Sequence, residues 1–97
     1  MSLDLENFLI EMNFTKNEIE DMKTMAPLLD VTTLNEVKEI IKTLEFYGFP
    51  KEDMPELFYQ NPSIMTMDEN ALALGLKKLI KKNIDIEEHL KYKPYDI

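Results

Sequence analysis

The chain has no cysteine, no tryptophan and no arginine, a single histidine and only two glycines. Without cysteine, disulfides, zinc-thiolate sites and thiol nucleophiles are excluded together. Without arginine, all eleven positive side chains are lysines, and the planar fork that reads guanine and phosphate bidentately is missing. His89 has no second histidine or cysteine with which to complete a metal site. No run approaches the ~18 uninterrupted apolar residues of a membrane span, so no membrane partner is expected. The first six residues are acidic and carry neither a basic region nor a long apolar stretch. Neither secretion nor organelle import is therefore suggested, and a cytoplasmic setting is expected.

Signatures of catalysis are also missing: there is no glycine-rich phosphate loop, no nucleophile triad and no metal-ligand spacing. The paired carboxylates Glu52-Asp53, Asp68-Glu69 and Glu87-Glu88 fall in expected first helical turns, where capping and the helix dipole account for them. No enzyme is expected, and no catalytic, cofactor-binding or metal-ligating residue; no cofactor is implied.

What is present is acid. Nineteen carboxylates against eleven lysines give a net charge of −8, which disfavours a phosphate backbone as an indiscriminate partner. The distribution is uneven: residues 1–75 hold 15 acids and 5 lysines, or −10, whereas residues 76–97 hold 4 acids and 6 lysines, or +2.

Tyr47 to Thr66 reads as the complete copy of a unit stated about three times. Gly48 is matched 35 residues earlier by Asn13 and 35 later by Asn83, and Gly and Asn are the residues that accept the left-handed conformation closing a helix. An apolar residue follows each time: Phe14, Phe49 and Ile84. Ile19, Met54 and His89 come five residues on, then Met22, Leu57 and Tyr92 three beyond those, the spacing of one helix face. Pro27, Pro62 and Pro94 then end the helix in each copy, spaced by 35 and then 32, so the last copy is shortened. A fixed period near 35 is the mark of helical units that must stack to bury their apolar faces. The reading is a single all-α domain over 1–97, a short α-solenoid of about 2.5 helix-turn-helix repeats of 35 residues with 3₁₀ turns. Its parts are a leading helix over about 1–12, repeats over 13–47 and 48–82, and a truncated unit over 83–97.

Local signals place the elements. Ser2 caps a first helix carrying Leu5, Phe8, Leu9 and Met12. Thr15 with Glu18, Thr33 with Glu36 and Asp85 with Glu88 form capping boxes, and Phe14 can staple onto Ile19. Leu28-Leu29-Asp30-Val31 and Ser63-Ile64-Met65 are expected as buried 3₁₀ turns. Thr66 or Asp68 caps a helix with Leu72, Leu76, Leu79 and Ile80 inward, interrupted by Gly75, which either allows close helix contact, the favoured reading, or is simply tolerated. Paired helices near 16–26 and 34–46 are expected to match those near 51–60 and 68–82. The methionines, Met22, Met25, Met65 and Met67 among them, are read as core filling in preference to an adaptable apolar groove for a partner helix.

On Tyr47-Gly48-Phe49-Pro50-Lys51-Glu52-Asp53-Met54 through Asn61-Pro62-Ser63-Ile64-Met65-Thr66, the chain resembles the repeat of the mitochondrial transcription termination factor (mTERF) family. That repeat has a Gly-apolar entry, a short helix, an Asn-Pro-like stop and a second helix of about four turns. The first copy resembles it through Phe14, Ile19, Pro27 and Leu28-Leu29, the third over half its length. The resemblance implies two helices and a 3₁₀ turn per unit, stacked into a curved superhelix, with nucleic acid in a basic groove.

The one positive surface is Lys77, Lys78, Lys81 and Lys82, which span roughly 140° of arc at 100° per residue, with Lys91 and Lys93 nearby in sequence. These six are the candidate contacts to a partner or phosphate. His89, in the register of Ile19 and Met54, is read as a packed structural residue. The expected function is non-enzymatic binding, regulatory through a protein partner. Nucleic-acid binding through the lysines is the alternative, in transcription or translation as the resemblance implies.

Overall fold

Helices of seven to thirteen residues, too short to persist alone in water, make up about three-fifths of the chain. The computed structural model describes residues 1–97. It contains α1 (Leu3–Glu11), α2 (Lys16–Met25), α3 (Leu34–Phe46), α4 (Met54–Gln60), α5 (Glu69–Lys81) and α6 (Ile86–Tyr92), with 3₁₀ turns at Pro27–Val31, Lys51–Asp53 and Pro62–Thr66 and no strand. Advanced by 35, the bounds of α2, the first 3₁₀ turn and α3 become 51–60, 62–66 and 69–81. Those are the bounds of the second 3₁₀ turn with α4, of the third 3₁₀ turn, and of α5.

The turns follow from local chemistry. Asn13, Gly48 and Asn83 have φ of 74°, 99° and 59°, the left-handed conformation that reverses a chain after a helix. In each case the next residue donates its N–H back five residues: Phe14 to the Leu9 carbonyl, Phe49 to Leu44 and Ile84 to Leu79. Reciprocal capping boxes start α2 and α3, with the Thr15 N–H donating to Glu18 at 2.8 Å and the Thr33 N–H to Glu36 at 2.9 Å. Asp68, not Thr66, caps α5. Asp85 accepts from the Glu88 N–H at 2.9 Å, but Glu88 returns no bond, so the expected third box is only half formed. The helix after Gly48 begins as 3₁₀ because Pro55 has no N–H to donate four residues back to Lys51. The Met54 N–H bonds the Lys51 carbonyl instead, and the Asp53 N–H the Pro50 carbonyl at 3.1 Å.

The core is one cluster of 20 buried apolar residues. α3 packs chiefly on α5, the first and third 3₁₀ turns pack on each other, α1 leans on α2 and α3, and α6 lies against α5. Leu5 and Leu9 of α1, Ile19 and Met22 of α2, Val37, Ile40 and Leu44 of α3, Leu57 and Phe58 of α4, and Leu72 and Leu76 of α5 are buried. The molecule is elongated, 38 × 22 × 20 Å.

Several sequence-based expectations need correction. In the first 3₁₀ turn only Leu29 is buried; Leu28 and Val31 are exposed, because a single turn of helix has only one inward side. Ile80 is half exposed and Met25 is exposed, so neither fills the core. Tyr92 does not share the buried face of Met22 and Leu57 but is 84% exposed. α6 turns Ile86 and Leu90 inward, since two aliphatic side chains at i, i+4 gain more from burial than a tyrosine with a hydroxyl to satisfy. Gly75 touches no neighbouring helix closely. A methyl added there would lie 3.4 Å from the Ile97 backbone carbon and 3.7 Å from its Cγ1.

Three substitutions test this packing. Leu57→Ala empties a site only 2% exposed and should cost about 2–5 kcal/mol in chemical denaturation. Tyr92→Ala should change stability by less than about 0.5 kcal/mol, and a large loss there would mean that α6 packs through the other face. Gly75→Ala meets Ile97 only at ordinary contact distance, so removing the glycine penalty should stabilise the protein by about 0.5–1 kcal/mol.

Candidate functional site

α5 ends in Leu76-Lys77-Lys78-Leu79-Ile80-Lys81, where Leu76 is buried and Leu79 half-buried against the core. The helical repeat then leaves Lys77, Lys78 and Lys81, with Lys82 at the C-cap, exposed. None of the four belongs to an ion pair, and neither does exposed Lys93. The structure therefore brings four of the six sequence-predicted lysines together at one helix end, where cations also complement the helix dipole.

Lys91 is placed differently. Its ammonium lies 2.7 Å from Glu87, one turn earlier in α6, and 3.0 Å from Asp53 at the start of α4. The hydrogen bonds to Glu87 and Asp53 push its pKa up to about 12. Bridging two carboxylates, it ties α6 to α4.

The segment after α6 folds back over the molecule. The Asn61 side-chain amide donates to the Pro94 carbonyl at 2.9 Å, which satisfies one of only two buried polar residues. His89 Nε2 lies 3.1 Å from the Asp96 carbonyl and 3.2 Å from its Oδ2, so a proton on that nitrogen can be donated to Asp96. The imidazole is only 13% exposed. Where the register has Ala26 in the first unit it has Asn61 in the second. The polar substitution is the sequence trace of this contact, but the acceptor 33 residues away could not be read from it.

Two further features were not legible in the sequence. Glu39 on α3 and Glu69 on α5 approach each other, and the Glu69 carboxyl is raised by burial and by its hydrogen bond and repulsion with Glu39. A groove of about 540 Å³ opens between α2, α4 and the segment after α6, lined by Asp21, Met25, Tyr59, Pro94 and Tyr95 among others. Tyr59 and Gln60 stand 35 residues after Thr24 and Met25, so equivalent positions of the two units face one groove.

The fold and these surfaces define an all-helical protein in which no helix is long and apolar enough to cross a membrane. No family model, curated protein or solved structure matches the chain.

Lys91 has a pKa raised above its ordinary 10.5 to about 12, so its contribution to stability is fully present below the unfolded value and fades as pH rises through the folded one. Lys91→Gln should therefore melt below the wild-type protein at neutral pH. The difference in Tm should stay level up to about pH 10 and close between about pH 10.5 and 12. A difference that does not change over that range would mean that the ammonium contributes by packing alone.

Proposed function

We propose that the chain is a non-enzymatic helical-repeat binding module of about 2.5 units, mTERF-like in architecture, that acts on a protein partner. The supporting observation is the 35-residue recurrence of element bounds and left-handed turn residues. Two consecutive units then expose equivalent positions side by side, which is how stacked repeats build an extended contact surface. The charge of that surface favours protein over nucleic acid, because residues 1–75 carry −10 and repel a phosphate backbone within a Debye length of about 8–10 Å. A cytoplasmic setting belongs to the same proposal.

A second reading is supported by the free lysines of α5. Lys77, Lys78, Lys81 and Lys82, with Lys93, could hold phosphates of duplex DNA or RNA as the mTERF resemblance implies. Lys91 is the least available of the six, because freeing it would break its bonds to Asp53 and Glu87.

Co-purification from native cells, identifying retained proteins and nucleic acids alike, tests the first reading. Fluorescence anisotropy of labelled duplex and single strands tests the second. Lysine makes point contacts without bidentate base reading, so weak, sequence-indifferent binding is expected at low salt and none at about 0.15 M. Any log-log salt slope for duplex DNA should be no steeper than about −0.9 per lysine engaged. Submicromolar binding at that salt, abolished by Lys77→Glu with Lys81→Glu, would overturn the protein-partner reading in favour of nucleic acid.

A further inference from the structure

The groove between α2, α4 and the segment after α6 places a carboxylate with no counter-charge beside exposed aromatic and thioether surface. Asp21 takes part in none of the ion pairs of the structure. Its one side-chain hydrogen bond is accepted from the Tyr59 hydroxyl, 3.5 Å from Oδ2, at the outer limit of such a bond. Glu18, one turn earlier, adds to the field: desolvation first, then the charges of Asp21 and Glu18, hold the Tyr59 phenol above its ordinary pKa. The nearest lysine on the same helix, Lys23, is turned to Glu20 and Asp30 instead. Apolar surface completes the site, with Met25 50% and Tyr95 68% exposed although both line the groove.

We propose that this groove docks an arginine-bearing peptide segment of the partner protein, an inference that rests on the protein-partner reading above. The chemistry selects the occupant. A negative field excludes phosphates and acidic peptides, whereas a guanidinium can take the Asp21 carboxylate with its fork and lay its plane on a phenol ring. Cation–π contact with Tyr59 or Tyr95 adds to the ion pair. An apolar neighbour in the peptide then covers Met25, whose unbranched thioether adapts to different shapes. Lysine, a compact and strongly hydrated charge, gains less from a ring face and a carboxylate presented together. This chain has no arginine of its own, so the matching side chain must come from a different protein.

The test is anisotropy of a fluorescein-labelled peptide of alternating arginine and leucine, with the lysine-leucine peptide alongside. The arginine peptide should bind more tightly than the lysine one. Asp21→Asn and Tyr59→Leu should each weaken it at least about tenfold, or 1.4 kcal/mol. Glu45→Gln, which removes the same charge from exposed α3 surface outside the groove, should leave affinity unchanged. Equal losses from Asp21→Asn and Glu45→Gln, equal binding of both peptides, or no binding at about 100 µM would overturn the groove as the arginine site. A dimer dispersed equally by Asp21→Asn and Lys77→Glu would put a second copy's lysines there instead, and would also overturn it. The two proposals fail separately. A cellular protein retained equally by wild type and Asp21→Lys refutes the groove but not the protein partner, whereas retention of nucleic acid alone refutes both.

Discussion

The structure depends on one recurring constraint: a helix too short to stand alone must be closed by a left-handed residue, so that the apolar residue behind it can be driven into the core. Asn13, Gly48 and Asn83 supply the turn; Phe14 and Phe49 supply buried anchors after two of them, and Ile84 a half-buried one after the third. The five-residue backbone bond at each site fixes the angle at which the next helix leaves. α2 is thereby set beside α1, and α6 beside α5, with no loop long enough to allow another arrangement. Because isolated helices of this length are marginal, stability resides in what the closures bring together, above all the packing of α3 on α5 around the first and third 3₁₀ turns.

The last part of the chain departs from this pattern. α6 is held by a charge clamp from Lys91 to Asp53 and by two buried aliphatic residues. The residues beyond it are held by separate contacts: Pro94 on Asn61, Asp96 on His89 and Ile97 over Gly75. Each uses a side chain that differs in kind from its counterpart in the first unit: Asn61 for Ala26, His89 for Ile19 and Gly75 for Ile40. The differences collect where the segment folds back, and one wall of the tyrosine groove is made there.

Charge follows the same division. Carboxylates at helix starts are occupied by capping: Glu18 and Glu36 receive backbone N–H groups, and the bonds from Thr33 hold the Glu36 carboxyl below its ordinary pKa. Lys23, Lys42 and Lys91 are paired. Among the groups left without counter-charge, Asp21 in the groove and the lysines of α5 carry the two opposed binding proposals. An ion pair on the surface contributes little to stability, so charges left free are limited more by interaction than by folding.

Most of the element positions were legible in the sequence. Thr-x-x-Glu boxes, prolines and the Asn/Gly turns act within five residues, so α2, α3, α5 and the first and third 3₁₀ turns fall within a residue or two of their expected bounds. The apolar stripe of α3, Val37, Ile40 and Leu44, was equally legible because 3.6-residue periodicity is a local property. What failed was orientation wherever periodicity was ambiguous. Tyr92 kept the register but not the face, and Ile80 and Leu28 were apolar without being inward, since only a neighbouring element decides which side of a short helix is covered. The candidate site divides in the same way. Sequence by itself determined that four lysines share one end of α5, because helical spacing places them there. Only the tertiary structure decided that Lys91 is bound to Asp53, 38 residues away, and that Asp21, Tyr59 and Tyr95 border one groove. Contacts between residues so far apart are set by how helices stack, and that depends on the summed burial of the whole core rather than on any local signal.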